Sequence, residues 1–221
     1  VRKLAPVPLA KAPGVRPGYG RFYIEARTVA MIAGSGALGE SLRYLADLRL
    51  DAKGRPPKLA KQQVIVFARP GVRPGELQLV APDAQVAWTA PGEAMVRPFL
   101  TERNLPDSTP RVTGVREAIN VIGTLAGESD TQIFLSTANN SAAAITIARR
   151  VGQPPVLSVS FSEVVDAAPV VPRSETLAWY RLACFLPRTL PPGTNLSGSE
   201  GERAMAESDY RLAIDQLGPC P

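Results

Sequence analysis

Alternating apolar and polar positions mark several segments of the chain as strands. In residues 156–164, Leu157, Val159 and Phe161 alternate with serines. Such alternation is typical of an antiparallel strand with one buried and one hydrated face. The segment 63–68 is rich in β-branched residues and also predicts a strand. The other predicted strands are one or two within 21–33, then 76–80, 85–89, 131–137 and 142–149, the last two forming a hairpin around Asn139-Asn140.

Two inner segments carry apolar residues at helical spacing. Residues 37–48 place leucines at i, i+4 and i+7, which predicts a short amphipathic helix. Residues 112–126 show a similar spacing of Val and Ile and predict a second helix. Gly123 lies inside this segment, so a strand over 119–125 is the alternative.

Two more helices are predicted near the C-terminus. Ser174 can cap a helix over 175–186, which Pro187 stops, and a second helix over 200–217 ends at Gly218-Pro219. Strands with interspersed helices indicate an α+β fold. We expect a largely antiparallel sheet, a hairpin plus a meander, with about four helices packed on it, two of them C-terminal.

The first twenty residues differ in composition from the rest. They are rich in Pro, Gly, Lys and Arg, and the chain opens at Val1 rather than Met. Residues 1–20 are therefore predicted to be a flexible tether of the kind that joins a cleaved signal or lipid anchor to a folded domain. We expect residues 21–221 to form a single globular domain, with 101–110 as an alternative boundary, in an exported protein: periplasmic, associated with the outer envelope, or secreted.

The two cysteines suggest a disulfide. Cys184 lies in an apolar helical segment and Cys220 is the second-to-last residue. A bridge between them would fasten the C-terminus and suits an oxidising compartment. The alternative is one buried thiol and one idle terminal thiol.

Charge is distributed unevenly along the chain. Residues 1–75 contain 14 Lys and Arg against 4 Asp and Glu, whereas residues 76–221 contain 11 against 16. Arginine accounts for 20 of the 25 basic residues, and its planar guanidinium binds carboxylate and phosphate through paired hydrogen bonds. The asymmetry predicts either a basic face that meets an anionic partner or a basic third that packs on the acidic remainder.

A basic cluster lies between residues 49 and 73. We predict that it binds an anionic envelope polymer or a lipid headgroup; a solvated loop is the alternative. Interleaved aromatic residues are missing, which argues against single-stranded nucleic acid, and no duplex-reading motif occurs. The basic cluster consists of Arg49, Lys53, Arg55, Lys58, Lys61, Arg69 and Arg73.

A glycine-rich segment at 34–39 offers another anion site. GSGALG follows a predicted strand and opens the predicted helix, so Gly34, Gly36 and Gly39 fit the pattern of a dinucleotide-binding turn. The acidic residue expected about 20 positions later is missing, and hairpins replace the βαβ rhythm downstream. A tight strand-to-helix turn is the alternative interpretation.

The chain contains no histidine, which removes the usual general base and the commonest metal ligand. We therefore expect no metal and no cofactor, and a binding role rather than catalysis. Carboxylate pairs that could serve a hydrolase are more typical of solvated surface; they are Asp47 with Asp51, Glu128 with Asp130, and Glu163 with Asp166. The sequence thus predicts a non-enzymatic binding or accessory module of the bacterial cell envelope, with a nucleotide- or phosphate-using enzyme as the alternative.

Overall fold

The computed structural model describes residues 1–34, 38–161 and 171–220, and the chain divides into two compact units, Val1–Leu100 and Thr101–Pro221. Both units contain antiparallel strands, so the fold is mixed α+β with mostly antiparallel sheets. The described residues contain three α-helices instead of the expected four or so.

The first unit is built mainly of strands. β1 (Lys3–Pro6), β2 (Tyr19–Arg27) and β3 (Ser41–Arg49) form an antiparallel sheet in the order β1-β2-β3. Two small antiparallel pairs follow, in which β4 pairs with β7 and β5 with β6. Their bounds are Val64–Val66 for β4, Ala68–Pro70 for β5, Leu77–Leu79 for β6 and Gln85–Ala87 for β7, and α1 (Ala90–Arg103) comes next.

The helix predicted over 37–48 is wrong, since this segment contains strand β3. Tyr44, Ala46 and Leu48 alternate toward the core of the first unit, whereas Leu45 is half-exposed on the opposite face. A period of two, read through Tyr44 and Ala46, therefore describes the segment better than the leucine spacing does.

The segment predicted as a tether contains strand β1. Lys3–Pro6 pair with β2, from Lys3 opposite Glu25 to Pro6 opposite Phe22. Leu4 packs against the core of the first unit. The strand forms in spite of its Pro-rich flanks because β1 lies at the edge of the sheet, where Pro is tolerated.

The second unit contains a four-stranded antiparallel meander and two helices. The strands are β8 (Val112–Ile122), β9 (Ser129–Thr137), β10 (Ala144–Arg149) and β11 (Val156–Ser160), and the helices are α2 (Leu177–Ala183) and α3 (Glu200–Leu217). The helix predicted over 112–126 is therefore wrong. β8 carries two register shifts, one between Val112 and Gly114 and one between Val115 and Glu117, and these irregularities disturb the alternation that a regular strand would show.

The core of the second unit lies between the sheet and the C-terminal helices. Ile133, Ile145 and Ile147 from the sheet and Leu182 and Tyr210 from α2 and α3 are fully buried there. Burial raises the pKa of the Tyr210 hydroxyl, which donates a hydrogen bond to the Pro187 carbonyl. The core is therefore continuous across the sheet and both helices.

The start of α3 is fixed by a capping box. The Ser199 hydroxyl accepts from the Glu202 backbone N–H, and the Glu202 carboxylate accepts from the Ser199 backbone N–H at 2.7 Å. The second hydrogen bond lowers the pKa of Glu202. None of the described helices is long and apolar enough to cross a membrane.

The predicted disulfide between Cys184 and Cys220 is confirmed, with the two Cα atoms 4.9 Å apart. Cys184 is the C-terminal cap of α2, and Cys220 lies just beyond α3. The Trp179 indole N–H donates to the Leu217 carbonyl at 2.7 Å, which adds a second tie between the same helices. The bridge therefore holds the end of α3 beside α2.

One carboxylate, that of Asp209 on α3, is fully buried against the sheet. The Arg149 Nε–H donates to Asp209 Oδ1 at 2.7 Å, and the Thr131 hydroxyl donates to Oδ2 at 2.5 Å. The Asn120 side-chain N–H donates in turn to the Thr131 oxygen at 2.8 Å. Because the carboxylate is charged and buried, this network depends on every partner being present.

Removal of the disulfide is expected to destabilise the second unit. The bridge closes a span of 36 residues, and its loss by Cys184→Ala with Cys220→Ala should lower the free energy of unfolding by about 3–4 kcal/mol. Urea denaturation followed by fluorescence measures the change. Reductant should reduce the stability of the wild-type chain by the same amount and leave the double variant unaffected; a reductant effect on the variant would contradict this assignment.

Loss of the buried carboxylate should also be costly. Asp209→Ala leaves the Arg149 guanidinium and the Thr131 hydroxyl without their acceptor and should lower the free energy of unfolding by about 3 kcal/mol. Asp215→Ala is the matched control, because Asp215 is exposed on the same helix, and its effect should stay within about 0.5 kcal/mol. Equal losses in the two variants in urea denaturation would show that the buried network contributes nothing specific.

Candidate anion-binding site

The charge asymmetry follows the division into units. Residues 1–100 contain 15 Lys and Arg against 7 Asp and Glu, a net charge of +8, whereas residues 101–221 contain 10 against 13, a net charge of −3. The excess of positive charge is therefore a property of the first unit.

Nearly all acidic residues of the first unit are already ion-paired within it. The best-buried pair joins Arg21 and Asp47, which lie opposite each other on β2 and β3, with 2.7 Å between Arg21 Nε and Asp47 Oδ1. This hydrogen bond raises the pKa of Arg21. Six of the seven carboxylates are engaged in this way, and they belong to Glu25, Asp47, Asp51, Glu76, Asp83 and Glu93.

The pairing leaves a set of cations without carboxylate partners. Among the described residues of the first unit, eight exposed Lys and Arg make no ion pair. Their charge is directed to solvent, where it can attract an anionic partner over about a Debye length. These residues are Arg2, Lys11, Arg27, Arg49, Lys53, Lys58, Lys61 and Arg69.

The basic cluster predicted from the sequence is exposed but does not form one patch. All seven residues are solvent-exposed. The loop that carries Arg73 lies against the start of β3, because the Arg43 backbone N–H donates to the Gly75 carbonyl at 2.8 Å. Arg49 lies at the other end of that strand. The eight steps from Ser41 to Arg49 span about 26 Å.

Two members of the cluster are engaged locally. Arg55 Nε lies 3.1 Å from Asp51 Oδ2, and the Arg55 backbone N–H donates to the same carboxylate, which lowers the pKa of Asp51. Arg73 lies 4.0 Å from Glu76. Asp51 is therefore held within its own turn by Arg55.

A groove lies at the end of the sheet where β2 ends and β3 begins, which we call the loop end. Its volume is about 330 Å³, within the range of small-ligand sites. Arg2, Glu25 and Arg43 supply charge, and Tyr23 and Ser41 supply hydroxyl groups. Pro74 and Gly75 close one side.

The charges in the groove are partly compensated. Glu25 lies 3.6 Å from Lys3, and Arg43 Nε lies 3.4 Å from Glu76 Oε1. Arg2 has no such partner among the described residues, so its guanidinium is the group in the groove that is available to an anion.

The shape of the groove depends on Gly75. Its φ is +76°, and a Cβ there would lie 2.8 Å from the Ser41 carbonyl oxygen. Glycine thus allows the loop 71–76 to approach β3 closely, which brings Pro74 against Arg43.

The glycine-rich segment 34–39 joins two antiparallel strands, β2 and β3. Gly39 accepts a hydrogen bond from the Thr28 hydroxyl at 2.6 Å, Gly34 has a φ of +126°, and Gly36 lies outside the described residues. The described residues after Gly39 form a strand rather than a helix, so the helix N-terminus that a phosphate site would use is not found in them.

In the other proposed carboxylate pairs, Asp47 and Asp130 each have an arginine partner. Asp47 is buried against Arg21, and Asp130 pairs with Arg150 at 2.9 Å, while Glu163 and Asp166 lie outside the described residues. Within the described ranges, no group of His, Cys, Asp and Glu is arranged to hold a metal ion.

Sequence reasoning missed three of the cations at the loop end. Arg2 lies in the predicted tether, and Arg27 and Arg43 stand in predicted secondary structure, so the sequence pattern singles out none of them. Arg21, Glu25 and Arg27 lie on one face of β2, and Arg43 on β3 stands opposite Glu25. Only the strand register shows that these charges share an outer face.

The chain was also compared with known protein families, curated proteins and solved structures. No family, curated protein or solved structure matches it. Its function must therefore be argued from the charge and geometry of its own residues.

Proposed function

We propose that this protein is an exported, non-enzymatic binding or accessory module of the bacterial cell envelope, and that its first unit binds an anionic ligand. One observation carries the proposal: eight exposed Lys and Arg residues of the first unit have no ion-pair partner. Six of the seven carboxylates in this unit are already ion-paired with other cations.

The distribution of these cations favours a large anionic partner. Arg49 and Lys53 lie near one end of the sheet, while Arg2 and Arg27 lie at the loop end, about 26 Å away along the strands. A single small anion would contact only one of these groups. An anionic polymer or a surface of anionic headgroups can contact both.

The disulfide supports the proposal that the protein is exported. Disulfides persist in oxidising compartments such as the periplasm and are rare in the cytosol. The Cα atoms of Cys184 and Cys220 are 4.9 Å apart, which is an ordinary distance for a disulfide. The bridge joins two helices of one unit, as expected of a structural disulfide.

The alternative, a nucleotide- or phosphate-using enzyme built on Gly34, Gly36 and Gly39, receives less support. The strand-to-helix context that favoured it is replaced by an antiparallel pair of strands. A binding role without catalysis therefore remains the proposal.

Neutralisation of the loop-end cations is expected to weaken binding to polyanions. The wild-type chain should bind dextran sulfate or phosphatidylglycerol vesicles, with an affinity that falls as salt is raised. Lys61 also lies at the loop end, because its backbone N–H donates to the Val1 carbonyl at 2.9 Å. Arg2→Gln, Arg27→Gln and Lys61→Gln together should reduce the affinity by about tenfold or more, because each removes a cation without a carboxylate partner.

A matched triple variant keeps the change in net charge the same. Arg173→Gln, Arg188→Gln and Arg211→Gln remove three exposed cations of the second unit and should leave the affinity within about twofold of wild type. The proposed function would be overturned if the wild-type chain showed salt-sensitive binding neither to dextran sulfate nor to phosphatidylglycerol vesicles. Equal losses in both triple variants would show that net charge rather than the first unit determines binding.

A further inference from the structure

Two loops of the first unit carry exposed apolar side chains. Val29 is 71% exposed in the loop 28–40, and Val72 is 99% exposed in the loop 71–76. Met31 and Leu38, in the first of these loops, are also exposed. Grouped exposed apolar side chains on a water-facing surface often mark a contact site.

The strand register brings both loops to the loop end of the sheet. The first loop connects β2 to β3 and is closed by the Thr28 backbone N–H, which donates to the Glu40 carbonyl at 2.9 Å. The second loop connects β5 to β6. The backbones of Arg43 and Glu76 form a parallel β-bridge, so β6 starts beside the start of β3. Val29 and Val72 therefore lie beyond the same end of the sheet.

Several cations lie at the same end of the sheet as these apolar side chains. Arg27 ends β2, and Arg2 lies at the start of β1, next to the last residues of β2. Lys61 is held at the same end because its backbone N–H donates to the Val1 carbonyl. Arg73 follows Val72 in the second loop, and Arg69 lies on β5, just before that loop.

We propose that the loop end docks on a bilayer that contains anionic lipids, with Val29 and Val72 entering the interface and the surrounding cations contacting headgroups. This inference rests on the proposed function and names the source of the anion. A soluble polyanion would contact the cations but not the apolar side chains, whereas a bilayer would contact both.

The two contributions are of similar size. Each Lys or Arg near an anionic bilayer strengthens binding by about fivefold, and a valine side chain that leaves water strengthens it by about tenfold. A few cations and the two valine side chains are therefore sufficient for reversible binding to the bilayer without a spanning helix.

The test separates the apolar contribution from the electrostatic one. The 221-residue chain is sedimented with vesicles of phosphatidylglycerol mixed with phosphatidylethanolamine, and with vesicles of phosphatidylcholine alone. Val29→Ser with Val72→Ser should weaken binding to the anionic vesicles by about tenfold or more. The same variant should bind soluble dextran sulfate as the wild type does, because its charges are unchanged.

A matched control removes two exposed apolar residues at the opposite end of the sheet. Leu9 lies in the connection between β1 and β2, and Val80 follows β6, and both are more than half exposed. Leu9→Ser with Val80→Ser should leave binding to the anionic vesicles unchanged. In a second readout, Val72→Trp should show a blue shift in emission on addition of anionic vesicles, and Leu9→Trp should show none.

The outcomes distinguish this inference from the proposed function. Salt-sensitive binding to dextran sulfate without binding to anionic vesicles would overturn the bilayer inference and leave the proposed function standing. Full vesicle binding by the Val29→Ser, Val72→Ser variant, or equal binding to phosphatidylcholine, would also overturn it. Failure to bind either probe would overturn both proposals.

Discussion

The antiparallel register between β2 and β3 is the constraint on which the first unit depends. Nine consecutive residue pairs join the two strands, from Tyr19 opposite Arg49 to Arg27 opposite Ser41. This register points Ile24 and Tyr44 into the core and leaves Glu25 and Arg43 on the other face. A slip by one residue would bury the charged row and expose the apolar one, so core and charged surface are determined together.

The same register explains why acidic residues of the first unit form ion pairs within it. Asp47 faces Arg21 across the strand pair, and Glu25 faces Arg43 while it pairs with Lys3. Exposed pairs of this kind contribute little to stability, whereas the well-buried Asp47 needs its partner to offset the cost of desolvation. The result is a unit whose remaining charge is almost entirely positive and faces solvent.

The sequence predicted those parts of the fold in which one local rule acts alone. The alternation of Leu157 and Val159 with serines identified β11, and the cysteine positions identified the disulfide. Irregularities defeated the same rules elsewhere, because the register shifts in β8 disturb its alternation and Leu45 on β3 mimics a helical repeat. The candidate site was predicted only in part, since Arg73 and Arg49 are near in sequence but lie at opposite ends of one strand, and only strand pairing reveals this.

The bridge between Cys184 and Cys220 has a mechanical consequence. A force applied at Cys220 passes through the sulfur atoms to the end of α2 instead of peeling α3 from the sheet one turn at a time. The helix that carries Asp209 is therefore shielded from tension at that end, because the end of α2 takes up the load. A protein pulled between a surface and a partner would gain resistance to rupture from this one covalent link.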